Sequence, residues 1–305
     1  MSLHPDRLAV AQMGPNNRAD SRAQIVERHI ALMEEAASAG AGFVLFPELS
    51  LTTFFPRWLI EDEAELDSFY EAEMPNDGVA TLFSRGRELG IGFSFGYAEL
   101  AEEAGARHRY NTSILVDGQG RIAGKYRKVH LPGHSEPQPR TFQHLEKRYF
   151  EPGNLGFPTF PSMGRTFGIC ICNDRRWPET HRSLRLNGAD TIIVGYNTPT
   201  DHTGHASVDA LSLFHNQLSL QAAAYQNSVW VLGAAKCGVE DGSFMLGQSM
   251  IVAPSGEIVA QARSVADEVI VATCPVAETV PYRETIFSFE KHRRPECYGA
   301  ITAPR

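Results

Sequence analysis

The chain has 305 residues, 43% of them hydrophobic and 21% charged, with a formal net charge of −8. This is globular composition, far from that of a disordered segment. The lysines and arginines are scattered rather than gathered into a basic stripe, which excludes a nucleic-acid footprint and favours small-molecule partners. Five cysteines are an odd, sparse set for this length, which argues against a disulfide framework and for a reducing compartment. Neither a signal-peptide run at Met1 to Arg7 nor any stretch near the roughly 18 apolar residues of a membrane span is present, so a cytoplasmic location without a membrane partner is expected.

Leu8 to Met13 reads as an opening strand. Ser21-Arg22-Ala23-Gln24 is a capping box, and Ile25, His29, Leu32, Met33 and Ala36 recur at helical spacing until Gly40. Phe43 to Phe46 is a short apolar strand ending at Pro47-Glu48, which completes a β-α-β unit. A second helix is predicted around Val79 to Leu89, then a strand in which Ile91, Phe93, Phe95 and Tyr97 crowd one face. Asn111 to Val116, a turn at Asp117 to Gly120 and Arg121 to Tyr126 form a hairpin. The strand Phe167 to Ile171 runs into Cys172, with a helix over Glu179 to Leu186 and a strand over Thr191 to Val194. A long helix from Val208 to Tyr225, a strand Val229 to Leu232 and a hairpin around Pro254-Ser255-Gly256 follow. No linker interrupts the alternation, so one α/β domain over residues 1–305, with mixed sheets covered by helices, is expected.

Three residues stand just beyond strand ends with types suited to acyl chemistry. Cys172 precedes a polar, cationic segment leading into a helix, a setting that stabilises a thiolate and offers free amides to an oxyanion. A low-pKa, accessible, oxidation-sensitive thiolate is therefore expected there. Cys170 lies two residues earlier, on the same face if the strand continues; position at the strand end favours Cys172. Glu48 could serve as a general base among apolar neighbours, and Lys128 could hold a developing oxyanion by its charge. The competing readings are a structural cysteine, a loop carboxylate and a solvated lysine.

Phe46-Pro47-Glu48, the string Lys125 to Pro132 and the string Cys172 to Glu179 together resemble the three motifs of the nitrilase superfamily. Thr52 to Trp58, Phe142 to Gly153 and Gly195 to Thr200 are most similar to the N-carbamoyl-D-amino acid hydrolases within it. The resemblance implies a four-layer α-β-β-α sandwich, a homodimer or homotetramer, and cofactor-free hydrolysis of an N-carbamoyl amino acid. It carries over Glu48, Lys128 and Cys172 as the triad and Glu146 as a supporting glutamate. His130 and His144 become buttresses, and Asn173, Arg175, Arg176, Asn197 and Thr198 become the substrate-binding set. Arg175 or Arg176 is expected to read the substrate carboxylate; the alternative is that they pair with Asp174 or Glu179. Other readings are a β-ureidopropionase, an aliphatic amidase, or a silent binding subunit. The loop Ser135 to Arg140 and the segment Asp201 to Val208 depart most from the resemblance. His202, His205 and His215 lack an acidic partner at metal-site spacing, and Gly90-Ile91-Gly92 lacks the third glycine of a dinucleotide loop, so neither metal nor nucleotide is expected.

Overall fold

Alternation along the first strands sets the layering. In β1 (His4–Gln12), Leu8 and Val10 join a core shared with a second sheet, while Ala9 and Ala11 face a core shared with helices. The same division holds in β2 (Ala41–Leu45), with Phe43 and Leu45 on one side and Val44 on the other. These positions come from a computed structural model, which describes residues 3–139, 143–200 and 204–303. Phe142 of one motif string, Arg140, Thr141 and Asp201 to Thr203 lie outside the described residues.

The first sheet continues with β3 (Tyr70–Glu71), β4 (Gly92–Glu103), β5 (Ala106–Val116) and β6 (Ile122–Arg127). The second holds β7 (Thr159–Ser162), β8 (Arg165–Ile171), β9 (Thr191–Tyr196) and β10 (Trp230–Ala235). A separate hairpin, β11 (Cys237–Glu240) and β12 (Ser243–Leu246), follows. Then β13 (Met250–Val252) and β14 (Ile258–Gln261) complete the second sheet, and β15 (Glu268–Thr273) returns to the first. Strand order is β15-β1-β2-β4-β5-β6 in one sheet, with β3 beside β4, and β14-β13-β10-β9-β8-β7 in the other. The central pairs β1/β2, β2/β4, β8/β9 and β9/β10 are parallel, as is β3/β4, and the remaining pairs of the two sheets are antiparallel. Helices Arg22–Ser38 and Ala80–Leu89 cover the first sheet; Pro178–Leu186 and Ser212–Asn227 cover the second. The result is the four-layer α-β-β-α sandwich.

The cap at Ser21 forms as read, its Oγ accepting from the Gln24 amide at 3.3 Å. Three features differ. β4 runs to Glu103 and pairs with β5 along its whole length, because its charged outer half is stabilised laterally: Glu99 is gripped by Arg127 at 2.8 Å and Lys125 at 2.7 Å. The expected helix from Val208 is two helices, Ala206–Asp209 and Ser212–Asn227, whose apolar spacing runs on across the break. The β11–β12 hairpin and β15 are short and mostly not alternating, so periodicity does not announce them. No helix among the described residues is long and apolar enough to cross a membrane.

The segments after β2, β6, β8 and β9 converge between the sheets, three of them at the carboxyl ends of central parallel strands and one at the end of the edge strand β6. Two glycines make this possible. A Cβ on Gly96 in β4 would sit 2.8 Å from Glu48 Cα, and one on Gly195 in β9 would sit 2.7 Å from Glu48 N. The Glu48 backbone is thus pinched between the two sheets. Gly195→Ala is expected to destabilise the protein by about 1–3 kcal/mol through overpacking, and to lower activity in the folded fraction. Denaturant unfolding and specific activity read both; a variant as stable and active as wild type would show that the pinch has slack.

Candidate active site

Lys128 is fully buried, reached by no water, and its ammonium lies between two carboxylates: Glu48 Oε1 at 2.7 Å and Glu146 Oε2 at 2.5 Å. An isolated buried ammonium would lose its proton; here burial pushes the pKa down but Glu146 and then Glu48 outweigh it, and the net shift is upward. Burial likewise pushes Glu146 up, and Lys128 with His144 pulls it below the ordinary carboxylate value. His144 Nε2 meets the other Glu146 oxygen at 3.0 Å, its ring edge-on to Phe54. Glu48 is held from three sides, by Lys128, by Asn111 Nδ2 at 2.8 Å on Oε1 and by the Asn197 amide at 2.9 Å on Oε2. Its carboxylate is therefore surrounded by donors, not by the apolar neighbours expected from Phe46 and Leu49. Asn197 Nδ2 also holds the Glu48 carbonyl at 2.8 Å.

Cys172 directly follows β8 with φ of +45°, in the left-handed region that few non-glycine residues adopt, and opens a short 3₁₀ turn over Cys172–Arg176. The strand stops at Ile171, so Cys170 and Cys172 do not share a face by strand alternation; Cys170 is wholly buried in the core. The turn is fixed by Asp174, itself buried. Its Oδ2 accepts from Tyr126 Oη at 2.7 Å and the Ile171 amide at 3.0 Å; its Oδ1 accepts from the His130 amide at 2.9 Å and Nδ1 at 2.8 Å. His130 also stacks on Trp177, ring centroids 5.0 Å apart. The two histidines therefore occupy different places, His144 on Glu146 and His130 beneath the cysteine turn.

The Cys172 thiol contacts the Asn197 carbonyl at 3.6 Å and Arg175 Nη1 at 3.7 Å and is only 2% exposed. Burial first, then the Glu48 charge, raises its pKa, and Lys128 and Arg175 only partly offset this. The expectation of an accessible low-pKa thiolate is thus corrected: no charge stands close enough, unopposed, to overcome desolvation next to a carboxylate.

The arginines part company. Arg175 is buried and its fork is engaged: Nε to Asn216 Oδ1 at 3.1 Å, Nη1 to the Cys172 carbonyl at 2.7 Å, Nη2 to Thr198 Oγ1 at 2.9 Å, over the Tyr196 ring at 4.4 Å. Arg176 is exposed by area yet crowded within a concave mouth, where burial and then Arg175 hold its pKa at about 10, so it stays a cation at neutral pH. Its recorded partner is Asn173 Oδ1 at 3.1 Å, and among the described residues neither arginine forms an ion pair with Asp174 or Glu179. The mouth is a recess of about 600 Å³ whose walls include Pro132, His134, His144, Asn173, Arg176, Val208, His215 and Leu218. Glu48, Lys128 and Cys172 do not line it; His144, which binds Glu146, and Asn173, which follows Cys172, do. Asn111, Asp174, Tyr196 and Asn216 escape the sequence reading; the available signal was a polar residue within an apolar strand or helix face, which does not reveal its partner.

The sequence pattern of the carbon-nitrogen hydrolases matches residues 7–284, and the chain belongs to that family. Its relatives include a nitrilase of Pyrococcus abyssi, 31% identical over 79% of each chain. N-carbamoylputrescine amidase of Arabidopsis thaliana is 28% identical over 88% of this chain and 87% of the relative, and citrullinase of Francisella tularensis 28% identical over 97% of each. Among solved structures, a carbon-nitrogen hydrolase from Helicobacter pylori G27 superposes with a TM-score of 0.84 at 21% identity, over 99% of this chain and 100% of that one. An amidase variant from Nesterenkonia sp. AN1, with the acetamide moiety of fluoroacetamide added covalently at its active-site cysteine, superposes with a TM-score of 0.71 at 22% identity over 96% and 95% of the two chains. These likenesses show the fold.

A protonated resting thiol sets the sign of a pH test. Oxidation of Cys172 by hydrogen peroxide should be slow near neutrality and accelerate as pH rises through and beyond the ordinary thiol range, followed by mass spectrometry of the cysteine-bearing peptide. A fast rate, flat from pH 6 to about 8, would mean a preformed thiolate.

Proposed function

We propose that the chain hydrolyses N-carbamoyl-D-amino acids to the D-amino acid, carbon dioxide and ammonia, with Cys172 as nucleophile, Glu48 as general base and acid, and Lys128 as the charge that holds the oxyanion. The observation that carries this reading is the buried Glu48–Lys128–Glu146 cluster beside a strained cysteine turn, next to a recess lined by His144, Asn173 and Arg176. Because the thiol rests neutral, its proton must leave as it attacks, and Glu48 is the base that acts most strongly on it. The sulfur adds to the carbamoyl carbon; Lys128 and the Asn173 amide, first in the turn, take the oxyanion. Collapse expels ammonia with the proton from Glu48. Water, deprotonated by the same carboxylate, then cleaves the thioester, and the resulting carbamic acid loses carbon dioxide. Glu146, fixed by His144, keeps Lys128 charged and in place.

Relatives that by name act on N-carbamoylputrescine and citrulline support a carbamoyl substrate. Arg176 narrows it: a cation within reach of the fields of Cys172, Glu146 and Glu48 suits a carboxylate and repels an amine. Arg175, with its fork engaged, acts instead by holding the Cys172 carbonyl, Thr198 and Asn216. The D configuration rests on the strings at 52–58, 143–153 and 195–200, and assembly into a homodimer or homotetramer belongs to the same reading.

A panel of N-carbamoyl-D-, L- and β-amino acids, N-carbamoylputrescine and an aliphatic amide tests the substrate. Arg176→Ala should raise KM for the N-carbamoyl-D-amino acid about tenfold or more, the ~1.5–3 kcal/mol of one charge-assisted contact, with little change on a neutral amide of the same compound. Arg175→Lys should lower kcat on both. Equal turnover of acid and neutral forms by wild type would replace this reading with a general amidase. Cys172→Ala should abolish turnover with folding intact, and Cys170→Ala should be mild; the reverse order would move the nucleophile to Cys170.

A further inference from the structure

A second buried charge cluster lies in the molecule that none of these steps uses. Lys236, between β10 and β11, and Glu240, at the end of β11, are both fully buried, and their side chains pair at 2.9 Å. Arg57, 4% exposed, pairs with the same carboxylate at 2.7 Å. Glu240 receives four donors: Arg57 Nη2 and the Phe54 amide at 2.9 Å on Oε1, and Lys236 Nζ and the Asn16 amide at 3.0 Å on Oε2, while the Thr53 hydroxyl donates to Asp241 at 2.7 Å. Such a carboxylate is fully satisfied, so it holds its partners in one geometry.

What it holds is the catalytic backbone. Lys236 Nζ grips the Thr52 carbonyl at 2.5 Å, Arg57 Nε grips the Phe54 carbonyl at 3.0 Å, and Arg57 Nη1 also reaches the Glu240 carbonyl. The segment that leaves Glu48 is therefore tied down from Thr52 to Arg57. That segment in turn carries the one holding Glu146: the Pro56 carbonyl accepts from the Leu145 amide at 2.9 Å and the Arg57 carbonyl from the Gln143 amide at 3.4 Å. On the other side, β12 of the same hairpin donates its Leu246 amide to the Thr198 carbonyl at 2.8 Å, next to Asn197. One hairpin thus touches the supports of Glu48, of Glu146 with His144, and of Asn197. The charges are complementary as well: two cations and one carboxylate here face two carboxylates and one cation around Lys128, and the Glu48 charge acts on Lys236 directly.

We propose that Arg57, Lys236 and Glu240 are positioning residues for the hydrolysis: a brace that touches no substrate and holds three segments of the catalytic recess in register. This rests on the triad assignment above but not on the substrate. A displacement of about 1 Å at reacting groups costs as much as a hundredfold in rate, whereas binding at the mouth, set by Arg176, should be nearly untouched. Glu240→Gln, the same shape with one charge and one acceptor fewer, is therefore expected to fold, with kcat at least about tenfold lower and KM within about threefold of wild type. Arg57→Lys, which keeps the charge but drops the fork, should fall between the two. Turnover is measured on an N-carbamoyl-D-amino acid and on whichever panel compound wild type hydrolyses best, and alkylation of Cys172 by iodoacetamide is followed in parallel. The alkylation rate should fall with kcat in both variants, at matched folded fraction by circular dichroism. If wild type fails on carbamoyl amino acids but the variants still lose kcat on another amide, the substrate reading falls and the brace stands. If both variants fold and keep wild-type kcat and alkylation, or if both fail to fold, the cluster serves stability alone and the proposal is overturned.

Discussion

An ammonium with no access to water organises this molecule. Lys128 could not remain charged in its position without Glu48 and Glu146 at hydrogen-bond distance, and neither carboxylate could be buried without it. Once that exchange is made, the rest follows as support. Glu146 needs His144, Glu48 needs Asn111 and the Asn197 amide, and the segments carrying these residues must end at one point from four different strands. The sandwich supplies such a point, and small residues in both sheets let the chain reach it.

The cluster also contributes to Cys172, the proposed nucleophile, resting as a thiol. Burial is the first cause, and with Glu48 and Glu146 set against Lys128 and Arg175 no surplus of positive charge offsets it, so an anion on sulfur is disfavoured until the proton has somewhere to go. In the proposed mechanism the proton acceptor is Glu48, whose charge adds to burial in keeping the thiol neutral. Under that proposal activation is coupled to substrate, which brings the electrophile and excludes the remaining water, rather than being a standing property of the cysteine.

Much of the architecture was legible because it is local. The cap at Ser21, the apolar run ending at Pro47-Glu48, the crowded face of Phe93, Phe95 and Tyr97, and the elbow after Ile171 are all written in neighbouring residues. What was not legible depends on distant ones. That the Cys172 thiol meets the Asn197 carbonyl depends on a segment 25 residues downstream; that Arg175 is engaged depends on Asn216 and Thr198; that Glu48 meets donors depends on Asn111 and Asn197. Side-chain type showed which residues were fit for chemistry, but the division between Arg175 and Arg176, adjacent and identical, is a matter of direction after a turn, which spacing does not encode.

The pinch at Glu48 has a wider consequence. With its backbone in contact with β4 on one side and β9 on the other, Glu48, the proposed base, is also a spacer that keeps the two sheets at their separation. The recess then has no independent way to loosen: to drift, Glu48 must part the layers, and parting the layers opens the shared core. Heat inactivation should accordingly coincide with cooperative loss of the whole sandwich, without an earlier stage in which an intact scaffold carries a melted site.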